Sequence, residues 1–366
     1  MYARTLGLLL TLMGGVSGAA HAASVPTDYQ AFSLVLDTNH IEYSAATNTL
    51  WATTPSLAGY GVGNSVAGFD LDSWTFSHYS YVGSEPTALA VSDDGQFVYA
   101  GLSGSNSIKR YNTLTGVVDL TIPLGSDGSW GSGPYYAEDI EVMPGSPETI
   151  AVSLRNQGYS PRHEGVVIID GATMRSTQTA GHTGANRIEF GDSPDVLYGY
   201  NNETTDFGLR TMLIDENGVT TTDVQRSLIA GFGVDIEYDG GRIYSTTGRV
   251  VDPSTGLIEG TYNLCGYSNC YGSAIEPDSA NGVTYVANSS LLSIFDQATF
   301  TQMASYDLSG VSGSIIDLIS LGDGQLAFNT TGGQLFVLTP VPEPETYGMF
   351  LAGLGMLGAV AKRRRA

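Results

Sequence analysis

The sequence predicts an all-β protein built from seven copies of one four-stranded unit. Glycine occurs 47 times and tyrosine 21 times, and the chain consists of short apolar stretches separated by turn-forming residues, as in proteins made of short strands. One element recurs: an apolar-acidic-apolar stretch, a turn and a second strand. Its first apolar residues are Ile41, Leu89, Ile140, Ile188, Ile236, Ile275 and Leu318.

The spacing of these copies predicts the architecture. The copies follow one another at intervals of about 40 to 50 residues, which is the length of one four-stranded propeller blade. In six copies the third strand ends in a polar turn, at Asp70, Asn112, Asp170, Asp215, Asp252 and Asp296. The seventh copy stops after its third strand, over residues 334–338. We therefore expect a seven-bladed β-propeller over residues 31–339.

The missing fourth strand of the last blade is expected at the beginning of the domain. Phe32, Leu34 and Leu36 alternate along a stretch that belongs to no other copy. Pairing of residues 31–37 with the seventh copy would close the ring. It would also cover a strand edge that otherwise promotes aggregation.

The repeat pattern resembles the YVTN-type and lactonase-type seven-bladed propellers, in the superfamily that includes the quinoprotein amine dehydrogenase heavy chain. The Gly-His and Trp-Asp signature of WD40 repeats is missing. Because this resemblance rests on the form of the repeat, it implies a fold and no particular activity.

The N-terminus predicts export. Arg4 is followed by an apolar core over residues 6–13 and by the small-residue site Ala20-His21-Ala22, the features of a secretory signal peptide removed after Ala22. The alternative, an N-terminal membrane anchor, requires a longer apolar run.

The C-terminus predicts sorting. A Pro-Glu-Pro turn precedes an apolar stretch over residues 347–361, shorter than the about 20 residues of a membrane span, and then an arginine run. The residues that define it are Pro342, Glu343, Pro344, Arg363, Arg364 and Arg365. Residues 341–366 resemble the PEP-CTERM sorting signal, also known as the ice-binding protein C-terminal motif, of Gram-negative bacteria that make extracellular polysaccharide. The resemblance implies a short transmembrane sorting helix, cleavage by the membrane protease exosortase, and delivery to the cell surface or outside the cell.

The charge excludes two classes of partner. The formal net charge is −22, and an acidic surface repels nucleic acid and anionic lipid. We therefore expect no nucleic-acid partner, and membrane contact only through the C-terminal segment.

Connectivity assigns the loops to two faces. If the strands of a blade are named A to D from the inside out, the D-to-A and B-to-C connections share one face. We call it the long-loop face, because the long irregular connections fall there, and the other the short-turn face. Aromatic residues in the long connections are Tyr60, Trp130, Tyr135, Tyr136, Tyr159, Phe207, Tyr267 and Tyr271. Such rings either pack the loops onto the blades or stack on sugar rings of a polysaccharide.

Two sets of charged residues share repeat positions on the inner strands. The first comprises Glu42, Glu141, Glu189, Glu237 and Glu276. Five carboxylates at one level must face water, pair with bases or surround a cation. Oxygen ligands of this kind suit Ca²⁺ or Mg²⁺, and Ca²⁺ is the cofactor that we consider for the channel. The second set predicts an ion network in which Arg187 lies between Asp139 and Asp235.

No sequence motif of an enzyme is present. His163, in the long-loop connection, is a weak candidate for a general base, and a surface histidine is the simpler interpretation. Cys265 and Cys270 are the only cysteines, and in an exported chain so close a pair is expected to form a disulfide. The alternative is a reduced pair or a metal site.

The sequence therefore favours an exported propeller that acts as a binding or structural component of the cell surface or its polysaccharide matrix. The second hypothesis is a metal-dependent propeller hydrolase, such as a lactonase, with its site at the channel mouth.

Overall fold

The computed structural model describes residues 10–16, 28–59, 61–126, 133–264, 274–288 and 291–341. Within these ranges the regular structure is all β, and it forms the seven blades that the repeat predicts. Blade 1 contains β3 (Ile41–Ser44), β4 (Thr49–Thr54), β5 (Ser65–Asp70) and β6 (Thr75–Tyr81). Blade 2 contains β7 (Pro86–Val91), β8 (Phe97–Leu102), β9 (Ser107–Asn112) and β10 (Val117–Pro123). Blade 3 contains β11 (Tyr135–Val142), β12 (Thr149–Asn156), β13 (His163–Asp170) and β14 (Thr173–Met174).

The remaining blades follow the same antiparallel order. Blade 4 contains β15 (Arg187–Phe190), β16 (Val196–Tyr200), β17 (Leu209–Asp215) and β18 (Gly218–Gln225). Blade 5 contains β19 (Ile236–Asp239), β20 (Arg242–Ser245), β21 (Arg249–Asp252) and β22 (Leu257–Thr261). Blade 6 contains β23 (Ala274–Asp278), β24 (Val283–Ala287), β25 (Leu291–Asp296) and β26 (Gln302–Asp307). Blade 7 contains β27 (Ile315–Gly322), β28 (Gln325–Thr330), β29 (Gln334–Pro340) and the N-terminal β2 (Asp28–Val35).

The closing strand confirms the predicted ring closure. β2 pairs antiparallel with β29, with Ala31 opposite Leu338 and Phe32 opposite Val337. The strand runs over residues 28–35 rather than 31–37, and it buries Tyr29 and Ala31 almost completely. The first and last strands of the domain thus complete one blade, so the ring has no open seam.

A further strand, β1 (Leu10–Val16), pairs with β2 and with β26, which joins blades 6 and 7 into one nine-stranded sheet. β1 lies within the predicted signal peptide. Cleavage after Ala22 would remove it and leave two four-stranded blades.

The apolar core lies between the blades. Seven buried clusters lie at the seven interfaces between neighbouring blades, including the interface between blades 7 and 1. The first apolar residue of every inner strand is buried in one of them or beside it, with at most 6% of its surface exposed. A blade therefore gains its core only by packing against its neighbours, which explains the strict repeat of these positions.

The polar turns after the third strands also follow the prediction. Asp70 Oδ1 accepts hydrogen bonds from the N–H groups of Asp72 and Ser73, at 2.8 and 2.9 Å. Asp215 binds the two N–H groups of its own turn in the same way. These side chains satisfy backbone donors of the turn, which is why Asp or Asn recurs there.

The two faces differ as expected. The short-turn face carries tight connections, the longest at 143–148, whereas the long-loop face carries connections such as 201–208 and 226–235. Function usually resides in long loops on a rigid scaffold, so the long-loop face and the central channel are the places to look for a site.

Candidate functional site

Five ionisable side chains lie at the start of the inner strands, one position before the first apolar residue. We call them the upper ring: His40, Asp139, Arg187, Asp235 and Asp317. Arg187 Nε lies 3.2 Å from Asp235 Oδ1, as an ion pair without hydrogen-bond geometry. Asp139 Oδ2 accepts a hydrogen bond from the Ile188 N–H at 2.9 Å. The charge of Asp235, followed by that of Asp139, raises the pKa of Arg187 against the effect of burial. The guanidinium therefore stays charged beside both carboxylates.

A second link in the upper ring joins blades 7 and 1. His40 Nδ1 lies 3.1 Å from Asp317 Oδ1, and Asp317 Oδ2 accepts a hydrogen bond from the Ile41 N–H at 2.9 Å. Burial alone would lower the pKa of His40, but the charge and hydrogen bond of Asp317 outweigh burial and raise it. His40 was not predicted as a site residue, although it occupies the same repeat position as Arg187.

The glutamate ring lies one residue beyond the first apolar position. It comprises Glu42, Glu141, Glu189, Glu237 and Glu276, all partly buried. Burial is the main cause that raises the pKa of each, and neighbouring carboxylates raise it further. The pKa reaches about 8 for Glu42 and for Glu276. Near neutral pH these two groups are therefore largely protonated, and a protonated carboxyl donates hydrogen bonds as well as accepting them.

A cavity of about 300 Å³ lies in the channel between blades 5, 6, 7 and 1. Charged residues from both rings line it: His40, Glu42, Asp235, Glu237, Glu276 and Asp317. Among the residues that the structure describes, no three His, Cys, Asp or Glu side chains are arranged to hold a metal ion. Five of the seven blades contribute one glutamate each, so the carboxylates are spread around the channel, whereas Ca²⁺ needs six to eight oxygens within about 2.6 Å. The described residues therefore provide no ligand set for the calcium hypothesis or for the metal-dependent hydrolase hypothesis.

The aromatic candidates of blade 3 share one end of that blade. Tyr135 and Tyr136 lie on β11 rather than in the preceding loop, and both are half-buried. Tyr136 is opposite Arg155 of β12, and Arg155 Nη1 lies 3.0 Å from Glu138 Oε2. Tyr159 lies in the connection between β12 and β13 with 41% of its surface exposed. The partly exposed Tyr159 thus belongs to the connection that follows the strand of Arg155, on the long-loop face.

Of the remaining described candidates, Phe207 is half-buried and His163 is buried. Phe207 packs edge-to-face on Phe232, with ring centroids 4.8 Å apart. His163 is the first residue of β13 and is only 1% exposed, which corrects the interpretation of a surface histidine. Burial, followed by the charge of Arg210, lowers the pKa of His163 to about 4. The backbone of Gly184 packs directly against the His163 imidazole, because a Cβ at position 184 would lie only 1.9 Å from His163 Nε2. This position is unsuited to a general base that must reach a substrate.

Several candidates lie outside the described residues. They are Tyr60, Trp130, Tyr267, Tyr271, the proposed disulfide of Cys265 and Cys270, and the sorting residues from Pro342 to Arg365. Their roles remain predictions from the sequence.

Comparison with known families concerns the C-terminus. The model of the PEP-CTERM protein-sorting motif matches residues 340–365. The chain ends in a PEP-CTERM sorting motif. This PEP-CTERM motif implies export through the Sec route, processing by exosortase and sorting to the cell surface, with transient anchoring by the C-terminal segment. Within the part of the chain that the structure describes, no helical segment has the length and apolar character that crossing a membrane requires.

Solved structures show the fold of the domain that precedes the PEP-CTERM motif. The chain is similar to the Cps50 (Swd1) β-propeller domain of Myceliophteria thermophila, with a TM-score of 0.66 and 12% identity over 85% of this chain and 100% of that one. It is also similar to the hydrazine synthase of Kuenenia stuttgartiensis, with a TM-score of 0.63 and 16% identity over 87% of this chain and 98% of that one. At these identities the likeness shows the propeller fold alone. No curated protein matches the chain.

Proposed function

We propose that this exported propeller is a binding module for neutral polysaccharide at the cell surface, with its contact surface on the long-loop face of blade 3. The observation that carries the proposal is that the exposed Tyr159, the half-buried Tyr136 and the Arg155–Glu138 pair all belong to the long-loop end of blade 3. Aromatic faces stack on the C–H faces of sugars, while neighbouring polar groups bind hydroxyls.

Charge favours a neutral polymer over an acidic one. The chain carries a formal net charge of −22, which repels polyanions at long range. The sorting motif supports the same proposal, because it delivers the domain to the surface where extracellular polysaccharide is found.

The test is binding of the mature chain to a panel of neutral polysaccharides, such as dextran, mannan and galactan, by affinity electrophoresis. Tyr159→Ala should weaken binding by about tenfold, equivalent to about 1.4 kcal/mol. Tyr79→Ala is the matched control, because Tyr79 has nearly the same exposure, 44%, but lies on the outer strand of blade 1. Equal binding by wild type and Tyr159→Ala, or binding of acidic polymers only, would refute the proposal.

A further inference from the structure

Five polar side chains meet where blades 3 and 4 join at the long-loop face. We call them the seam cluster: Glu138, Arg155, Arg162, Asn186 and Glu203. Arg162 donates to both carboxylate oxygens of Glu203, through Nε at 2.9 Å and through its backbone N–H at 2.8 Å. Asn186 Nδ2 donates to Glu203 Oε2 at 3.4 Å. The Arg155–Glu138 pair completes the group from the side of blade 3.

The cluster contains buried polar atoms that lack hydrogen-bond partners among the described residues. They are Arg155 Nε, Asn186 Oδ1 and Glu138 Oε2, and the last of these contacts Arg155 Nη1 as an ion pair at 3.0 Å without a hydrogen bond. Asn186 is only 4% exposed, so bulk water does not satisfy its oxygen. Folded proteins rarely leave such atoms unpaired, and each one calls for an explanation such as a bound water or ligand. Three such atoms in one small group are candidates for contact with a single ligand.

The cluster remains open to the outside. The side chains of Glu138 and Arg155 are 16% and 18% exposed, and that of Arg162 is 45% exposed. Tyr159 precedes Arg162 in the same connection and exposes its ring. A ligand on the long-loop face therefore meets the side chains of Arg162, Arg155 and Glu138 first.

The chemistry of the cluster selects a neutral ligand. Arg155 and Arg162 balance the charges of Glu138 and Glu203, so an added anion would meet two carboxylates and an added cation two guanidiniums. The atoms without hydrogen bonds comprise one donor, Arg155 Nε, and two acceptors, Glu138 Oε2 and Asn186 Oδ1. A sugar hydroxyl donates one hydrogen bond and accepts others, so neighbouring hydroxyls can satisfy a donor and an acceptor at once.

We propose that the seam cluster is a subsite for one neutral, polyhydroxylated sugar residue, with Tyr159 as the ring that covers it. This subsite rests on the proposed function, since it supplies the polar half of the polysaccharide contact. Arg155 Nε donates to one sugar hydroxyl, and Glu138 Oε2 and Asn186 Oδ1 accept from its neighbours.

Calorimetric titration of the intact mature chain with methyl glycosides of neutral hexoses tests the subsite. Arg155→Lys keeps the charge but removes Nε, and Asn186→Ala removes the acceptor; each should raise the Kd at least about tenfold. Arg226→Lys is the control, because Arg226 is 60% exposed outside the cluster and should leave the Kd unchanged. Thermal melts of each variant establish that it is folded, and the conservative Arg155→Lys keeps the test valid if Asn186→Ala does not fold.

The outcomes separate the two proposals. Unchanged Kd values in both variants, tighter binding of glucuronate or glucosamine than of neutral sugars, or a soaked crystal with only ordered water on these three atoms would overturn the subsite. If Tyr159→Ala still weakens polysaccharide binding in that case, the proposed function stands without this subsite. Binding of methyl glycosides that depends on Arg155, with no binding of any polysaccharide, would instead keep the subsite and overturn the proposed function.

Discussion

The glutamate ring predicts an unusual dependence of stability on pH, and Glu42→Gln isolates one member of the ring. The pKa of Glu42 rises from 4.5 in the unfolded chain to about 8 in the fold, chiefly because of burial and then the charge of Asp317. Between these values the folded state binds more protons than the unfolded state. The free energy of unfolding therefore falls as the pH rises from about 4.5 to about 8.

The magnitude follows from the size of this pKa change. One pKa unit corresponds to about 1.4 kcal/mol, so the full change would be worth about 5 kcal/mol. Glu42 is only partly buried and borders a cavity large enough for water, and solvent screens much of the effect. We expect about 1 to 2 kcal/mol to remain. Glutamine keeps the shape without the charge, so the variant should escape this loss.

Urea denaturation of the mature chain at pH 5 and pH 8.5 measures the effect. The free energy of unfolding of Glu42→Gln should equal that of the wild type within about 0.5 kcal/mol at pH 5. At pH 8.5 it should exceed that of the wild type by about 1 to 2 kcal/mol. The comparison removes the opposite contribution of His163, whose lowered pKa favours the fold as pH rises from about 4 to 6.5. Glu216→Gln, on the exposed β17–β18 turn, is the matched surface control for the same substitution. The reasoning would be refuted if the free energy of unfolding of Glu42→Gln depended on pH as strongly as that of the wild type, or if the variant were less stable than the wild type at pH 8.5.

Three further predictions concern the ion network, the ring closure and the sorting motif. Arg187→Ala should lower the free energy of unfolding by about 1 to 2 kcal/mol, less than the about 3 to 5 kcal/mol of a fully buried pair because both partners are partly exposed. Arg226→Ala should lower the free energy of unfolding by less than Arg187→Ala does. Equal losses for the two variants in chemical denaturation would contradict the ion network. A chain that begins at Asn39 lacks β2 and should lose several kcal/mol, at about 1.5 to 3 for each large buried side chain such as Tyr29; an unchanged melting temperature would contradict the closure. Mass spectrometry of exported protein from the native host should find residues 362–365 removed, and an intact C-terminus would contradict processing.

The repeat made most of the fold predictable. Ile188 and its equivalents are buried because each inner strand packs against the next blade, so one sequence pattern recurs at every interface. The closing strand followed from the count of strands, since a blade without its fourth strand leaves an open edge. The turn carboxylates, such as Asp215, were also visible because they bind donors two and three residues away.

The local sequence did not reveal contacts between blades. Glu138 and Glu203 belong to different blades, and only the assembled ring brings them into one cluster with Arg162. β11 begins at Tyr135, earlier in its repeat than the inner strands of neighbouring blades, with a register shift between Ala137 and Asp139. That extension is why residues expected in a loop lie on a strand.

The strand order of blade 7 also determines how the domain is held. β29 is the third strand of its blade and runs from the long-loop face to the short-turn face, where the Val341 N–H donates to the Asp28 carbonyl at 2.9 Å. The sorting motif begins at this point. As long as the C-terminal segment stays in the membrane, the domain is tethered at its short-turn face. That face is opposite the long-loop face, so the tether leaves the domain on the side away from Tyr159 and the seam cluster.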